Sequence, residues 1–171
     1  IPVDPCFVDF DRLARELGIP LYVVSDGQDY VIRRVLRRAG VGHVLRNGSN
    51  FYSSALRLEG GRLRVSFPHG SPGCTHGCAT CKPALIRRRG RGRYPMIYIG
   101  DGLSDRFAVE SADIIFAKRQ LLMYCRDHGL DCHAFDSFGD IIRKLPRLIE
   151  SLGDAAPVTS RVSKRAVAVR G

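Results

Sequence analysis

The stretch YPMIYIGDGLSD, residues 94–105, decides the fold. Its apolar run, MIYIG, predicts a strand buried on both faces of a sheet. Asp101 and Asp105 follow at the end of this strand, where Gly100 and Gly102 permit a tight turn. A capping role would account for one of these aspartates but not for the pair. Because Mg²⁺ prefers one or two carboxylates together with water and substrate phosphate, this strand end predicts a magnesium site.

On both sides of this stretch, segments with helical spacing alternate with short apolar runs. The predicted helices are FVDFDRLARELG (7–18), DYVIRRVLRRAGV (29–41), KPALIRRR (82–89), DRFAVESA (105–112), QLLMYCRDHG (120–129) and DSFGDIIRKLPRLIESLG (136–153), and the predicted strands are LYVVSDG (21–27), MIYIG (96–100), DIIFAK (113–118) and DCHAF (131–135). We expect Pro146 to interrupt the last helix. ALRLEGGRLRVSF (55–67) predicts an inserted β-hairpin that turns at its two glycines. This alternation predicts an α/β, Rossmann-like fold with a parallel sheet and helices on both faces.

The length of 171 residues and the hydrophobic content of 44% suit one domain. We assign residues 1–153 to this core and expect residues 154–171, which lack large apolar residues at a sustained period, to be a flexible basic tail. No apolar run long enough to cross a membrane is present, and the amino end does not resemble a secretory leader. We therefore expect a soluble, cytoplasmic protein and no membrane partner.

The net charge of +10 raises nucleic-acid binding as a hypothesis. Nearly all of this charge comes from two segments: residues 82–93 carry one lysine and five arginines without an acid, and residues 151–171 carry four basic residues against Asp154. No aromatic residues are interleaved with these bases, as they are in many nucleic-acid surfaces. A nucleic-acid partner is therefore the lowest-ranked reading, and the oligomeric state is left open.

Two further polar groups are expected at the edge of the sheet that holds Asp101, since ligands of parallel sheets collect at the carboxyl ends of strands. Ser25 ends its strand, and its hydroxyl and the backbone amide of Asp26 could bind an anion at the start of the next helix. The alternative for Ser25 is an ordinary capping serine. Lys82 opens a basic helix, and its ammonium could neutralise a phosphoryl group. The alternative for Lys82 is a solvated surface lysine.

The order of VVSDG, CATCKPALIRR and YIGDGLSD resembles that of the haloacid dehalogenase-like phosphatases, in particular their phosphoserine-phosphatase-like branch. Within this branch, IPVDPCFVDF, FPHGSPGCTHGCATCK and DIIFAKRQLLMYCRDHG are similar to the 2-hydroxy-3-keto-5-methylthiopentenyl-1-phosphate phosphatases of methionine salvage. The resemblance covers residues 1–145. It implies a Mg²⁺-dependent phosphomonoesterase that acts on a small phosphorylated metabolite, with a helical cap that selects the substrate.

The resemblance also implies the roles of individual residues. The implied phosphate-binding residues are Ser25, Asp26 and Lys82, the implied metal ligands are Asp101 and Asp105, and the implied catalytic residues are Lys82 and Asp105. Lys82 would stabilise charge on the nucleophile and the phosphate, and Asp105 would support both the metal and this lysine. Ser104 stands where the family pattern has asparagine, a departure that we expect to weaken one supporting contact without removing a metal ligand.

The nucleophile of this family is an aspartate in a DxD motif that directly follows the first strand. The only DxD here is Asp9-Phe10-Asp11, and the apolar spacing around it predicts a helix. We therefore do not interpret it as the nucleophile motif. We expect the first strand, its DxD and the cap to lie upstream of Ile1, and residues 1–171 to be inactive alone. In the family that strand lies between those ending at Ser25 and Asp101. Without it a gap is expected, unless the two strands close up.

The loop PHGSPGCTHGCATCK (68–82) is a second candidate site. Cys74, Cys78 and Cys81 together with His69 or His76 would give the four ligands of a structural Zn²⁺. Structural zinc commonly uses two separated ligand pairs, whereas these residues lie close together in the sequence. Reduced loop thiols are therefore the favoured reading of the cluster.

Two functions remain after these steps. The first is a phosphatase of the haloacid dehalogenase type, represented by a chain without its nucleophile. The second is a non-catalytic module that binds or senses a phosphate ligand with Ser25, Lys82 and Asp101. Sequence upstream of Ile1 would discriminate the two, because only the phosphatase needs a strand that ends in DxD.

Overall fold

The computed structural model describes residues 2–45, 50–90, 95–154 and 166–169. Its helices are α1 (Phe7–Glu16), α2 (Asp29–Arg38), α3 (Lys82–Gly90), α4 (Arg106–Val109), α5 (Arg119–Asp127) and α6 (Phe138–Asp154), and its strands are β1 (Leu21–Gln28), β2 (Phe51–Glu59), β3 (Arg62–Ser66), β4 (Met96–Gly100), β5 (Ile114–Ala117), β6 (His133–Ala134) and β7 (Ala166–Val169). This order of elements confirms the predicted α/β class. None of the helices in these ranges is both long enough and apolar enough to cross a membrane.

The strands form one sheet in the order β3-β2-β1-β7-β4-β5-β6. All neighbouring pairs are parallel except β2 and β3. Every residue of β4 and β5 is buried, as their unbroken apolar sequences predict. The carboxyl ends of β1, β4 and β5 therefore meet at one edge of the sheet, where Asp101 and Lys118 directly follow β4 and β5 and Ser25 lies in the last half of β1.

The predicted hairpin is confirmed as the antiparallel pair β2 and β3. Its turn is made by Gly60 and Gly61, both with positive φ (56° and 76°), a conformation that glycine adopts without steric cost. Because β2 also pairs in parallel with β1, the hairpin extends the main sheet at one end.

Helices cover both faces of the sheet, as predicted. On one face α1, α2 and α6 bury an apolar cluster against β1, β4 and β5, and on the other α3, α4 and α5 bury a second cluster against the same strands. Alternate residues of β4 divide between the two clusters: Ile97 and Ile99 join the first, whereas Met96 and Tyr98 join the second. This alternation follows from the period of two of a strand.

The single DxD motif lies in α1, which confirms that it does not follow a strand. Asp9 faces solvent and pairs with Arg12 at 2.9 Å. Asp11 is buried, and its carboxylate contacts His43 Nε2 at 2.9 Å and Arg15 Nε at 3.1 Å. Both carboxylates of the DxD motif are thus paired with basic side chains.

The expected interruption at Pro146 is wrong, because α6 runs through this residue from Phe138 to Asp154. Proline removes one helical hydrogen bond and strains the preceding turn. Ile141 and Leu145 are completely buried on the same helix, and Ile149 is nearly so. Burial of this apolar stripe offsets the local cost, so the helix continues.

The gap expected between the strands that end at Ser25 and Asp101 is filled by β7. These four residues, AVAV, pair in parallel with β1 on one side and β4 on the other, and Val169 lies opposite Val23 and Ile99. This part of the predicted flexible tail therefore forms the central strand, since alternating β-branched residues suit a sheet. Residues 155–165, 170 and 171 lie outside the described residues.

Candidate functional site

Ser25 lies inside β1 rather than at its end, because the strand continues to Gln28. The register between β1 and β2 shifts between Val24 and Gln28, so the regular ladder breaks where Ser25 begins the polar segment. Ser25 is almost completely buried, and its Oγ accepts a hydrogen bond from the backbone N–H of Gly27 at 3.1 Å. The hydroxyl is thereby held within a turn-like bend at the edge of the sheet.

Lys82 is the first residue of α3, and only 2% of it is exposed. Its ammonium contacts Asp26 Oδ2 at 3.0 Å and Asp105 Oδ1 at 2.9 Å, and it donates a hydrogen bond to Ser104 Oγ at 2.8 Å. A buried lysine needs partners of this kind, because removing an unpaired charge from water is costly. The alternative of a solvated surface lysine is therefore wrong.

Asp26 contributes its carboxylate, whereas sequence analysis assigned a role only to its backbone amide. Helix α2 begins at Asp29, so Asp26 does not stand at a helix start. Its Oδ1 accepts the backbone N–H of Thr80 at 3.0 Å, while Oδ2 faces Lys82. The Thr80 hydroxyl in turn donates to the carbonyl of Ser25 at 2.8 Å. These bonds tie the segment before α3 to the polar end of β1, a contact between distant parts of the chain.

Asp105 is completely buried and both of its oxygens are occupied. Oδ1 contacts Lys82 and accepts the Tyr98 hydroxyl at 2.9 Å, and Oδ2 accepts the backbone N–H groups of Gly102 at 3.1 Å and Asp101 at 3.3 Å. Gly100 permits this close approach, because a Cβ at that position would lie 2.7 Å from Asp105 Oδ2. The geometry therefore makes Asp105 the group that shapes the turn and holds the lysine, and it favours Asp101 over Asp105 as a metal ligand.

The carboxylate of Asp101 is more accessible, with 29% of its side chain exposed. Its Oδ2 lies 3.3 Å from Arg119 Nη1, and Arg119 has the positive φ of 51°. The described residues contain no group of three histidine, cysteine, aspartate or glutamate side chains arranged to hold a metal ion. A single accessible carboxylate suits Mg²⁺, because Mg²⁺ retains water molecules and takes further oxygen ligands from phosphate. It does not suit a metal ion whose ligands must all come from protein side chains.

The contacts bring Ser25, Lys82 and Asp101 to one edge of the sheet. Lys82 connects the polar end of β1, through Asp26, to the turn after β4, through Asp105. Beside Ser25 a cavity of about 610 Å³ opens, and Lys118 lies in its wall. Sequence analysis did not single out Lys118, although its place directly after β5 was a signal for it. Thr80 was also missed, because threonine does not identify itself in a sequence, and Ser104 was noted as a departure from the family pattern but not as a partner of Lys82.

Cys74, Cys78 and Cys81 lie in the segment that leads into α3, and none of them forms a disulfide. Hydrogen bonds from the backbone amides of His76 and Cys78 lower the pKa of the Cys74 thiol to about 6. Burial, together with a hydrogen bond to Cys74, raises the pKa of the Cys78 thiol to about 11. Burial likewise raises the pKa of the Cys81 thiol.

The zinc site, which was the less favoured interpretation of the cysteine cluster, is not assembled among the described residues. His69 packs its ring edge-on against Tyr52, with the ring centroids 5.0 Å apart, and burial lowers its pKa. His76 stacks on Phe107 at 3.6 Å, with Nδ1 3.9 Å from Cys74 Sγ. The histidines and thiols therefore do not surround a common point.

Comparison with known proteins gives a consistent group of relatives, although no protein-family model matches the chain. The "2-hydroxy-3-keto-5-methylthiopentenyl-1-phosphate phosphatase" of Geobacillus kaustophilus is 34% identical over 144 residues, which cover 83% of this chain and 62% of that protein. The protein of the same name from Bacillus velezensis is 32% identical over 79% of this chain and 56% of its own length. The "Bifunctional enzyme MtnB/MtnX" of Bacillus licheniformis is 33% identical over 85% of this chain and 33% of its length. The chain thus spans less than two thirds of each of these relatives.

Proposed function

Because this chain is homologous to haloacid dehalogenase-like phosphatases named for 2-hydroxy-3-keto-5-methylthiopentenyl-1-phosphate, we propose that it is the phosphate- and metal-binding part of such an enzyme. The homology confirms the family resemblance found in the motifs. The proposed reaction is Mg²⁺-dependent hydrolysis of a small phosphomonoester, of the methionine-salvage type. The partner is the phosphorylated metabolite itself.

The buried ammonium of Lys82 is the observation that supports this proposal most strongly. It lies between the carboxylates of Asp26, the residue that follows Ser25, and Asp105, which belongs to the same turn as Asp101. A phosphoryl group needs this combination: a fixed positive charge, hydroxyl or amide donors, and a carboxylate for the metal. A general structural role for Lys82 would not require the accessible Asp101 at the same edge.

Each polar residue of the site has a separate proposed role. Ser25 would orient one phosphate oxygen through its hydroxyl, and Lys82 would offset charge that develops on the phosphoryl oxygens. Asp101 would hold Mg²⁺, which when bound polarises the phosphoryl group. Asp105 and Ser104 keep the ammonium in place, so that little reorganisation is needed during the reaction.

The nucleophile is the part of the mechanism for which residues 1–171 offer no candidate in the described ranges. The single DxD lies in α1, where Asp11 is buried against His43 and Arg15. The position between β1 and β4, which the family resemblance assigns to the nucleophile strand, is occupied by β7. We therefore propose that the nucleophile comes from outside these residues and that they do not turn over substrate alone.

Turnover by the purified chain is the direct test. With excess Mg²⁺ and p-nitrophenyl phosphate, residues 1–171 are expected to release no p-nitrophenol above the buffer rate, because the described residues contain no DxD aspartate at the end of a strand. Steady hydrolysis that disappears in Asp101→Asn would contradict the missing-nucleophile proposal while supporting the assigned metal ligand. Hydrolysis that survives in Asp101→Asn would contradict both.

Phosphate binding tests the site without requiring turnover. Titration with inorganic phosphate, followed by calorimetry, should show binding that Mg²⁺ strengthens, and Asp101→Asn should reduce this Mg²⁺-dependent gain about tenfold or more. Asp9→Asn is the matched control, because it removes the same charge from the exposed part of the DxD motif and should bind like the wild type. Equal binding by the wild type and Asp101→Asn would count against Asp101 as the ligand.

A non-catalytic phosphate-binding module is the second candidate, and the β7 strand in the central position favours it. Such a module would bind phosphate through the same residues but would never acquire a nucleophile. A longer product of the same gene separates the two: hydrolysis that depends on an added DxD strand supports the enzyme. If every such longer protein binds phosphate but does not hydrolyse the phosphomonoester, the non-catalytic module is supported.

A further inference from the structure

The cavity beside Ser25 has one polar side and one apolar side. Its volume of about 610 Å³ lies within the range of small-molecule pockets. The polar side is formed at the carboxyl edge of the sheet by Ser25, Asp26, Gln28 and Lys118. The apolar side comes from α1 with the residues before it, from α2 and from α6, and it includes Val3, Phe7, Ile32, Val35, Leu36 and Phe138.

Two groups on the polar side have no polar partner among the described residues. The Lys118 ammonium lies 4.8 Å from the centre of the Phe135 ring and forms no ion pair with a carboxylate of these residues. The Gln28 side chain forms no hydrogen bond within the same part of the chain. An ammonium and an amide in this condition suit a ligand that carries oxygen atoms.

The polar side is too long to be filled by a phosphate ion. Ser25 belongs to β1 and Lys118 follows β5, and the strands β7 and β4 lie between these two in the sheet. Three strand spacings amount to about 14 Å. When a phosphoryl group is bound at the Ser25 end, the remaining length of the cavity is therefore left for the rest of the ligand.

We propose that this cavity binds the carbon chain of the phosphomonoester, with the chain against the apolar side and its oxygen atoms towards Lys118 and Gln28. This inference rests on the proposed phosphate site at Ser25 and Lys82. It narrows the substrate class to phosphate esters of an uncharged, largely apolar chain and excludes the phosphate esters of amino acids.

The exclusion of amino-acid phosphates follows from what the apolar side offers to an ammonium group. Among the lining residues, the carboxylate on that side belongs to Asp4, and its two oxygens already accept the backbone N–H groups of Cys6 at 2.9 Å and Phe138 at 3.0 Å. Burial of an unpaired ammonium is costly, whereas burial of methylene groups is favourable. The apolar side therefore favours a hydrocarbon chain.

A neighbouring cavity of about 640 Å³ provides an internal comparison. It lies between α1 and α2, and neither Ser25 nor Lys118 is in its wall. Val31 lines both cavities, whereas Val8 lines the neighbouring cavity and not the one beside Ser25. Both valines are 39% exposed, so the fold should tolerate phenylalanine at either position. Val31→Phe narrows the proposed site, and Val8→Phe is its matched control.

Calorimetric titration of the full chain with Mg²⁺ and alkyl phosphates tests the proposal. Affinity should rise about fourfold for each methylene group buried, so butyl phosphate should bind at least about tenfold more tightly than methyl phosphate. Val8→Phe should keep this gain, and Val31→Phe should lose most of it. Leu36→Phe, which fills the same cavity from its buried side, should also lose the gain, with circular dichroism as the check on folding. O-phosphoserine should bind no more tightly than methyl phosphate.

The ratio of the two affinities within each protein separates this proposal from the phosphate site itself. If methyl and butyl phosphate bind equally tightly to the wild type, the cavity does not hold the chain, although the phosphate site stands. A gain that persists in a folded Val31→Phe or Leu36→Phe protein, or that disappears in Val8→Phe, would place the chain elsewhere and overturn the proposal. Tighter binding of O-phosphoserine than of butyl phosphate would overturn it too. If no phosphate binds at all, the proposed function fails and this inference fails with it.

Discussion

Lys82→Met is expected to lower the free energy of unfolding by about 3–5 kcal/mol, the usual cost of breaking a buried ion pair from one side. The methionine fills much of the space of the lysine stem but leaves the buried Asp105 carboxylate without its cation. Such a loss corresponds to a fall in melting temperature of about 10 °C for a domain of this size. Urea unfolding followed by circular dichroism measures the change, and phosphate binding should be lost in the folded fraction.

Two controls separate the buried pair from a general effect of charge. Arg88→Met removes a positive charge from the exposed face of the same helix and should change stability by no more than about 0.5 kcal/mol. In the Asp105→Asn background, Lys82→Met should cost less than in the wild type, since the partner charge is already gone. Strict additivity of the two substitutions would contradict the pairing described here.

The core of the fold was predictable because its signals are local. MIYIG and the IIFA of DIIFAK are unbroken apolar runs, and each forms a strand buried on both faces, while the two glycines of EGG have the positive φ that the hairpin requires. The helices follow from apolar residues at helical spacing. In these segments the local pattern and the tertiary environment agree, so the sequence alone is sufficient.

The candidate site was predictable only in part, for a physical reason. Asp101 stands out because glycines and a buried strand surround it in the sequence. The partners of Lys82 do not stand out, since Asp26 and Ser104 reach it from distant parts of the chain. The role of Asp105 in holding this lysine was available only from the family resemblance, and the saturation of its four contacts required coordinates.

The central strand β7 is the element that local reasoning could not find. Ala166–Val169 has only four residues, and they stand in a segment rich in bases and poor in large apolar side chains. Nothing within those residues specifies the partners, because the paired residues are far apart in the sequence, as Leu21 of β1 is from Val167 and Met96 of β4 is from Ala166. The neighbouring strands β1 and β4 favour a strand at this position, because their facing N–H and C=O groups need hydrogen-bond partners.

Val167→Pro is therefore expected to destabilise the protein by about 3 kcal/mol or more, because proline cannot donate to a ladder and is confined to the edges of sheets. Val167 lies opposite Leu21 in β1 and Ile97 in β4, so the substitution acts at the middle of the sheet. Val167→Ala is the matched control, since it keeps the N–H group and isolates the backbone effect. Hydrogen exchange should show that the amides of both neighbouring strands lose protection in the proline variant and keep it in the alanine variant. If the two variants unfold at the same urea concentration and exchange alike, β7 is not the strand that closes the sheet, and the central position is open to the nucleophile strand that the proposed enzyme requires.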